Sequence, residues 1–314
     1  MIVSKKYRNI QKQKVAGLFS QKSIFGSDSG GGVIRGKERE YAVSDYKHNF
    51  FPPIVSHALE YFKRNKISWW GGFVPSAHTL SSQIACLNHL FAVRCDQAEV
   101  LKIARLFNPD FIDVIAIETD QAPAAYIQFE SVSDIDRLNE KTVSRGSNCT
   151  SVDALIYALH KDGQKFILPI EWKYTEEYGN ESKADGDKGK TRKSRYTELI
   201  NSSKQLQSQK HDIYYYEPFY QLMRQTLWAE QLIKSKDSET IKADDFIHIH
   251  VIPPENADLL ARIYPCTGKD MEQTWRGQLK DQTKYIIISP RALLSRLDRQ
   301  KYKALTEYLE KRYW

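Results

Sequence analysis

Three charged side chains stand where apolar strands should carry none: Asp153 in the run 151–160, and Glu171 and Lys173 in the run 165–174. An unpaired charge inside a covered sheet is expensive. Between the runs lies Asp162-Gly163, a strong hairpin signal. Folding the chain about Asp162 sets Asp153 opposite Glu171, and cross-strand neighbours on one face touch. Side chains repeat every second residue along a strand, so Lys173 leaves the same face as Glu171. Two carboxylates and an amine on one face suit metal-assisted hydrolysis of a phosphodiester. Asp153 and Glu171, with the backbone carbonyl of Trp172, would hold Mg²⁺, Mn²⁺ being the substitute, while water and substrate phosphate fill the remaining positions. Lys173 would orient the attacking water or offset charge in the transition state. A plainer reading makes Glu171 and Lys173 a strand-end salt bridge and Asp153 turn chemistry, but it leaves two carboxylates facing each other without purpose. The same acid-x-Lys spacing at Asp45-Tyr46-Lys47 and Glu181-Ser182-Lys183 falls in polar stretches and reads as solvated surface.

The elements that must position these residues follow from periodicity. Residues 1–45 are polar and basic, broken by Ser27-Asp28-Ser29-Gly30-Gly31-Gly32, and read as an arm with a flexible loop that adds little core. Residues 46–314 read as one domain. Its helical front part, 46–110, carries apolar residues at helical spacing over 49–66, 80–91 and 97–106. Its core, about 111–295, begins with strands over 111–117 and 124–129 and continues with the hairpin, both of whose strands are apolar on both faces. A basic loop over 180–195 follows, then helical stretches to about Gln209 and over 217–233, a strand over 246–252 closed by Pro253-Pro254, a helical turn over 257–263, a strand over 285–289 and C-terminal helices. Strands and helices mixed in this way predict an α/β domain, with no internal repeat.

Composition bounds the partner. Among 314 residues, 46 Lys and Arg against 39 Asp and Glu leave a net charge of +7, with 41% hydrophobic and 12% aromatic residues. That excludes a fibrous or low-complexity chain and favours a polyanion as partner, although many basic proteins bind no nucleic acid. Lys183, Lys188, Lys190, Arg192, Lys193 and Arg195, directly after the charged strand, read as a clamp on a phosphate backbone or as a solvated loop. Arg224 joins them as a nucleic-acid candidate. Tyr214, Tyr215, Tyr216 and Tyr220 read chiefly as core. His248 and His250 alternate on a strand, lack a third ligand nearby and read as packed histidines rather than a metal pair. Four cysteines without a Cys-x-x-Cys pair, no apolar stretch of the roughly 18 residues a membrane span needs, and a start without an apolar leader predict a cytoplasmic protein that meets no membrane. No Gly-rich phosphate loop, Ser-His-Asp order or nucleotide fingerprint competes.

At Asp153 and Glu171-Trp172-Lys173 the sequence resembles the PD-(D/E)XK nuclease superfamily. The wider strings, 150–156 with 168–176, Tyr216 to Gln225 and His248 to Pro253, are similar to its restriction-endonuclease-like bacterial branch over roughly residues 80–295. The resemblance implies a core of helix, three antiparallel strands, helix and strand, flanked by helices and here preceded by a helical N-terminal extension. It implies a Mg²⁺-dependent endonuclease acting on DNA, a restriction or phage-defence effector that often works as a dimer. The alternatives are an RNA-directed nuclease, a non-catalytic nucleic-acid-binding module, or a docking protein for an acidic partner. Two departures stand out: Val152 replaces the Pro that precedes the first carboxylate, and the extra Glu of the first helix is missing. Gln83 or Asn88 would substitute for that Glu, or serve as a cap and a core contact. Gln221 and Gln225 are further supporting candidates.

Overall fold

The computed structural model describes residues 6–22, 24–70, 72–146, 149–208 and 211–314. The chain start read as leaderless (1–5), Gly71 and Gln209, the expected end of a helical stretch, lie outside them. In chain order the regular elements are α1 (Tyr7–Leu18), β1 (Gly32–Ile34), β2 (Lys37–Arg39), α2 (Val55–Arg64), α3 (Ser82–Leu90), α4 (Gln97–Ala104), β3 (Phe111–Val114), β4 (Ile127–Ser131), β5 (Val152–His160), β6 (Lys165–Trp172), α5 (Gly186–Ser202), α6 (Phe219–Lys234), β7 (Asp245–Phe246), β8 (His248–Val251), α7 (Ala257–Leu260), α8 (Met271–Arg276), β9 (Tyr285–Ile288), α9 (Pro290–Leu293) and α10 (Lys303–Arg312). The basic stretch read as a loop over 180–195 is helical from Gly186, because Lys and Arg are good helix formers and charge alone does not distinguish a solvated helix from a loop.

One mixed sheet of seven strands organises the molecule, with β5 and β6 at its centre. Strands β3 and β4 both pair antiparallel with β5, at opposite ends of its length. Strand β6 pairs antiparallel with β5 and parallel with β8, and β9 extends the parallel side. The β5–β6 register runs Ala154 to Ile170, Leu155 to Pro169 and Ile156 to Leu168, so the next rung sets Asp153 against Glu171, as folding about Asp162 requires.

Alternation along the central strands divides the interior in two. Ala154, Ile156, Leu168, Ile170 and Trp172 face α3 and the C-terminal helix α10. Leu155, Tyr157 and Ile167 face α6, whose Phe219, Leu222, Met223 and Leu227 recur at helical spacing. Residues 7–43, from which little core was expected, add Val15, Leu18, Phe19, Ile24, Phe25 and Val43 to the first layer. The arm is also tied down by polar contacts: the Tyr7 amide donates to Asp258 at 2.6 Å and the Tyr174 hydroxyl donates to Gln11 at 3.0 Å. Scattered apolar residues among many polar ones hid this contribution from periodicity.

Candidate active site

Asp153, Glu171 and Lys173 meet on the α6 face at one end of the central hairpin. Asp153 accepts the Trp172 amide at 2.6 Å on one carboxylate oxygen, which pins it beside the end of β6. Glu171 and Lys173 are 4% exposed each and form a buried ion pair. Helix α6 places Gln221 and Gln225 one turn apart over this pair. Gln221 accepts from the Lys173 ammonium at 2.5 Å, and the Gln225 amide donates to the second Glu171 oxygen. Behind Gln225, His248 on β8 contacts its carbonyl oxygen at 3.0 Å. Burial holds His248 down near about 4, so it stays neutral and packed, while His250 contacts the Tyr285 hydroxyl instead at 2.8 Å. The two histidines thus take separate partners.

A third carboxylate, which no sequence motif marked, completes the cluster. Glu130 on β4 sits on the rung opposite Asp153, between the observed pairs Phe129–Ala154 and Ser131–Val152. Its φ of 49° lies in the left-handed region that side chains other than Gly seldom adopt, a conformation found where the surroundings over-determine the backbone. Arg145 supplies that restraint by donating to the carbonyls of Phe129 and Glu130. The Glu130 carboxylate accepts from Gln83 at 2.6 Å and from Ser151 at 2.9 Å. Burial pushes the carboxyls of both Asp153 and Glu130 upward; Glu171 adds to this for both, and Glu130 adds to it for Asp153. Burial pulls the Lys173 ammonium down, but Glu171 and the surrounding oxygens outweigh it and the net shift is upward. A protonated amine therefore sits among carboxyl groups that burial crowds together.

These groups line a cleft of about 620 Å³. Gln83 reaches it from the first turn of α3, whereas Asn88 does not. Asn88 is fully buried elsewhere, accepting from the Phe51 amide and donating to Asn49 and Tyr313, so it is a core contact. Of the basic candidates, Lys183 and Arg224 line the cleft, and both have acidic partners, Lys183 with Glu217 at 3.6 Å and Arg224 with Glu140 at 2.9 Å. Lys188, Lys190 and Lys193 lie exposed on α5, Lys190 beside Asp187. Arg192 donates to the Lys183 carbonyl at 2.9 Å, and Arg195 is half-buried on the same helix. The basic candidates thus divide between α5, whose lysines are exposed, and two cleft members outside it, Lys183 before α5 and Arg224 on α6.

Among the described residues, no three His, Cys, Asp or Glu side chains are arranged as a ready-made metal cage. The donor set nevertheless fits a hard cation that keeps much of its water, because such an ion takes one or two carboxylates and completes its shell with water and substrate oxygens. Asp153 makes a single hydrogen bond among the described residues, to the Trp172 amide, and its second oxygen is left for the cleft.

The model of a family described as restriction endonuclease associating with ARP matches residues 10–314. No curated protein and no solved structure matches the chain. Among the described residues, no helix is long and apolar enough to cross a membrane.

Proposed function

The chain belongs to the family of restriction endonucleases associating with ARP, and from that premise we propose that it is a Mg²⁺-dependent endonuclease of the PD-(D/E)XK type that cleaves DNA in defence against foreign genomes. The observation that carries the reading is Asp153 beside the end of β6, next to Glu171, with the Lys173 ammonium held against Glu171 in one cleft. The helix α3, strands β4, β5 and β6, helix α6 and strand β8 occur in the order expected of that nuclease core. Asp153, Glu171 and the Trp172 carbonyl would hold the cation. When bound, it polarises a phosphoryl oxygen and lowers the pKa of a water.

The chain's own residues supply the rest. Gln225 fixes the rotamer of Glu171, and His248 fixes Gln225. Lys173, oriented by Glu171 and Gln221, presents a proton-bearing amine to the attacking water or the developing phosphorane charge. Lys183 and the exposed lysines of α5 attract the phosphate backbone. One such centre per chain cuts one strand, so two copies suit a double-strand cut in the cytoplasm.

The test is incubation of plasmid DNA and of RNA with the protein, in Mg²⁺ and in EDTA, alongside calorimetric titration of Mg²⁺. Asp153→Asn is expected to lose both metal binding and cleavage. Lys173→Ala is expected to keep metal binding and lose about 100-fold or more in turnover. Wild-type cleavage that persists in EDTA, or full turnover by Lys173→Ala, overturns the assignment; cleavage of RNA alone moves the substrate to RNA.

A further inference from the structure

Beside the cleft, the chain exposes three large apolar side chains within five residues: Trp70 is 61% exposed, Phe73 fully so, and Val74 54%. Single exposed apolar residues are ordinary, but a cluster of this kind on a soluble domain marks an interaction surface. The segment's base is firmly built. Trp69, next to Trp70, stacks on Phe62 at 3.7 Å in the core, and the Ser68 amide donates to the Arg145 carbonyl at 3.1 Å. Gly146 is required at this base, because a Cβ there would stand 2.6 Å from the Ser68 carbonyl oxygen. The backbone that leads into the exposed aromatic residues is therefore anchored to the fold.

Two connections tie this surface to the carboxylates. Trp70 lines the same cleft as Asp153 and Glu171. Gln83 accepts the Trp70 amide at 3.0 Å with its oxygen and donates to Glu130 at 2.6 Å with its nitrogen, so one side chain bridges the aromatic segment and the acidic cluster. Arg8 also lines the cleft and forms no ion pair among the described residues, and Lys183 lines its other part. The lining also holds the carboxylates of the site, and on the nuclease reading the unpaired Arg8 and the flat face of Trp70 in one cleft match the two parts of a nucleic-acid strand, phosphate and base. An apolar protein partner would leave Arg8 unmatched, whereas Lys183 already stands 3.6 Å from Glu217.

We propose that Trp70 and Phe73 form a stacking platform for unpaired bases next to the scissile phosphate, so that the substrate is a nucleic acid with a single-stranded segment. The proposal rests on the nuclease reading and narrows its substrate. Aromatic faces accept any base, which makes the contact indifferent to sequence and selective for strands whose bases are not already stacked in a duplex.

The experiment measures binding of the full chain in EDTA, where no cut intervenes, to three fluorescent probes: a single-stranded DNA, its duplex, and the same single strand with a run of abasic sites. Cleavage is followed separately in Mg²⁺. Trp70→Ala and Phe73→Ala are each expected to weaken binding of the single strand by about 5- to 150-fold, the range one stacked base supplies. Trp70→Phe restores most of it. The abasic strand binds wild type and Trp70→Ala alike, and the slope of log K against log salt is unchanged, because stacking releases no counterion. The platform is overturned if wild type binds and cleaves while both alanine variants bind the single strand normally, or if they lose equally on the abasic strand. It is equally overturned if Phe73→Ala dissociates a wild-type dimer without changing strand affinity, which assigns the surface to a second copy. A wild type that neither binds nor cuts any nucleic acid removes the nuclease reading itself, and the platform with it.

Discussion

Asp153 and Glu171 occupy facing positions, yet removing each is expected to move stability in opposite directions. Glu171 balances a buried ammonium: both of its oxygens are hydrogen-bonded, one by Lys173. Its removal strands that charge, so Glu171→Ala should destabilise the fold by about 3 kcal/mol or more. Burial, Glu171 and Glu130 act against the ionised form of Asp153 and outweigh the Lys173 ammonium and the Trp172 amide that favour it. Asp153→Asn keeps an acceptor for that amide and removes the repulsion, so it should melt higher than wild type in EDTA. With Mg²⁺ the order should reverse, since only the wild type gains the cation's binding energy. Thermal melts of both variants with and without Mg²⁺ check this, and a destabilised Asp153→Asn in EDTA contradicts it. The pair and its lysine were legible in the sequence because a short hairpin turn sets their register locally. Glu130 was not. The connection from β4 to β5 is long and has no tight hairpin turn to fix a register, so nothing local predicts which residue of β4 opposes Asp153, and the left-handed backbone at Glu130 rests on the distant Arg145.

At the scale of elements, the loop before residue 45 shows how much order a polar stretch can hold. Asp28 accepts from the amides of Gly30, Ser44 and Asp45 and from the Ser44 hydroxyl, and pairs with His48 at 3.0 Å. Burial alone would raise its carboxyl, but His48 and those amides outweigh it and bring it down to about 2 from 3.8. A carboxyl depressed on folding stabilises the protein above its unfolded value and stops doing so as pH falls through its folded one. Wild type should therefore exceed Asp28→Asn by roughly 2 kcal/mol at pH 5 to 7, and the gap should close between about pH 4 and 2, as chemical denaturation across that range would record. A gap independent of pH assigns the effect to shape instead of charge. The α5 flank gives a second prediction: replacing Lys188, Lys190 and Lys193 by Gln should lower the salt slope of DNA binding by about 1 for each phosphate left without its lysine, with cleavage at saturating DNA unchanged. An unchanged slope leaves these lysines solvated. Element types were readable wherever apolar periodicity was strong, as in α3, α6 and the hairpin. They were misread where charge dominated, as over 186–195, because the solvated face of a helix and a loop have the same composition.

For the whole molecule, the open question is whether the N-terminal segment is an appendage or part of the fold. The sequence divides the chain at residue 45, on composition. The packing crosses that line: Phe25 is 1% exposed and Val15 wholly buried, in the same layer as Trp172 and Tyr174. The contacts are also close to the site, since Gln11 of α1 meets the Tyr174 hydroxyl one residue beyond Lys173. Each large apolar side chain buried there contributes about 1.5–3 kcal/mol, and several together rival the roughly 5–15 kcal/mol that separates folded from unfolded domains. Removing residues 1–43 should therefore leave a chain with no cooperative melting transition, where an independent arm would leave the melt of 46–314 intact. A point variant separates weakened packing from a missing segment. Phe25→Ala should lower stability by about 3–5 kcal/mol while leaving one transition. Calorimetry of the full chain should accordingly show a single peak whose calorimetric and van't Hoff enthalpies agree. Two peaks, with Phe25→Ala shifting only one of them, would restore the boundary at residue 45. A single peak that Phe25→Ala moves as a whole makes the arm a wall of the domain, folded and unfolded together with the sheet it covers.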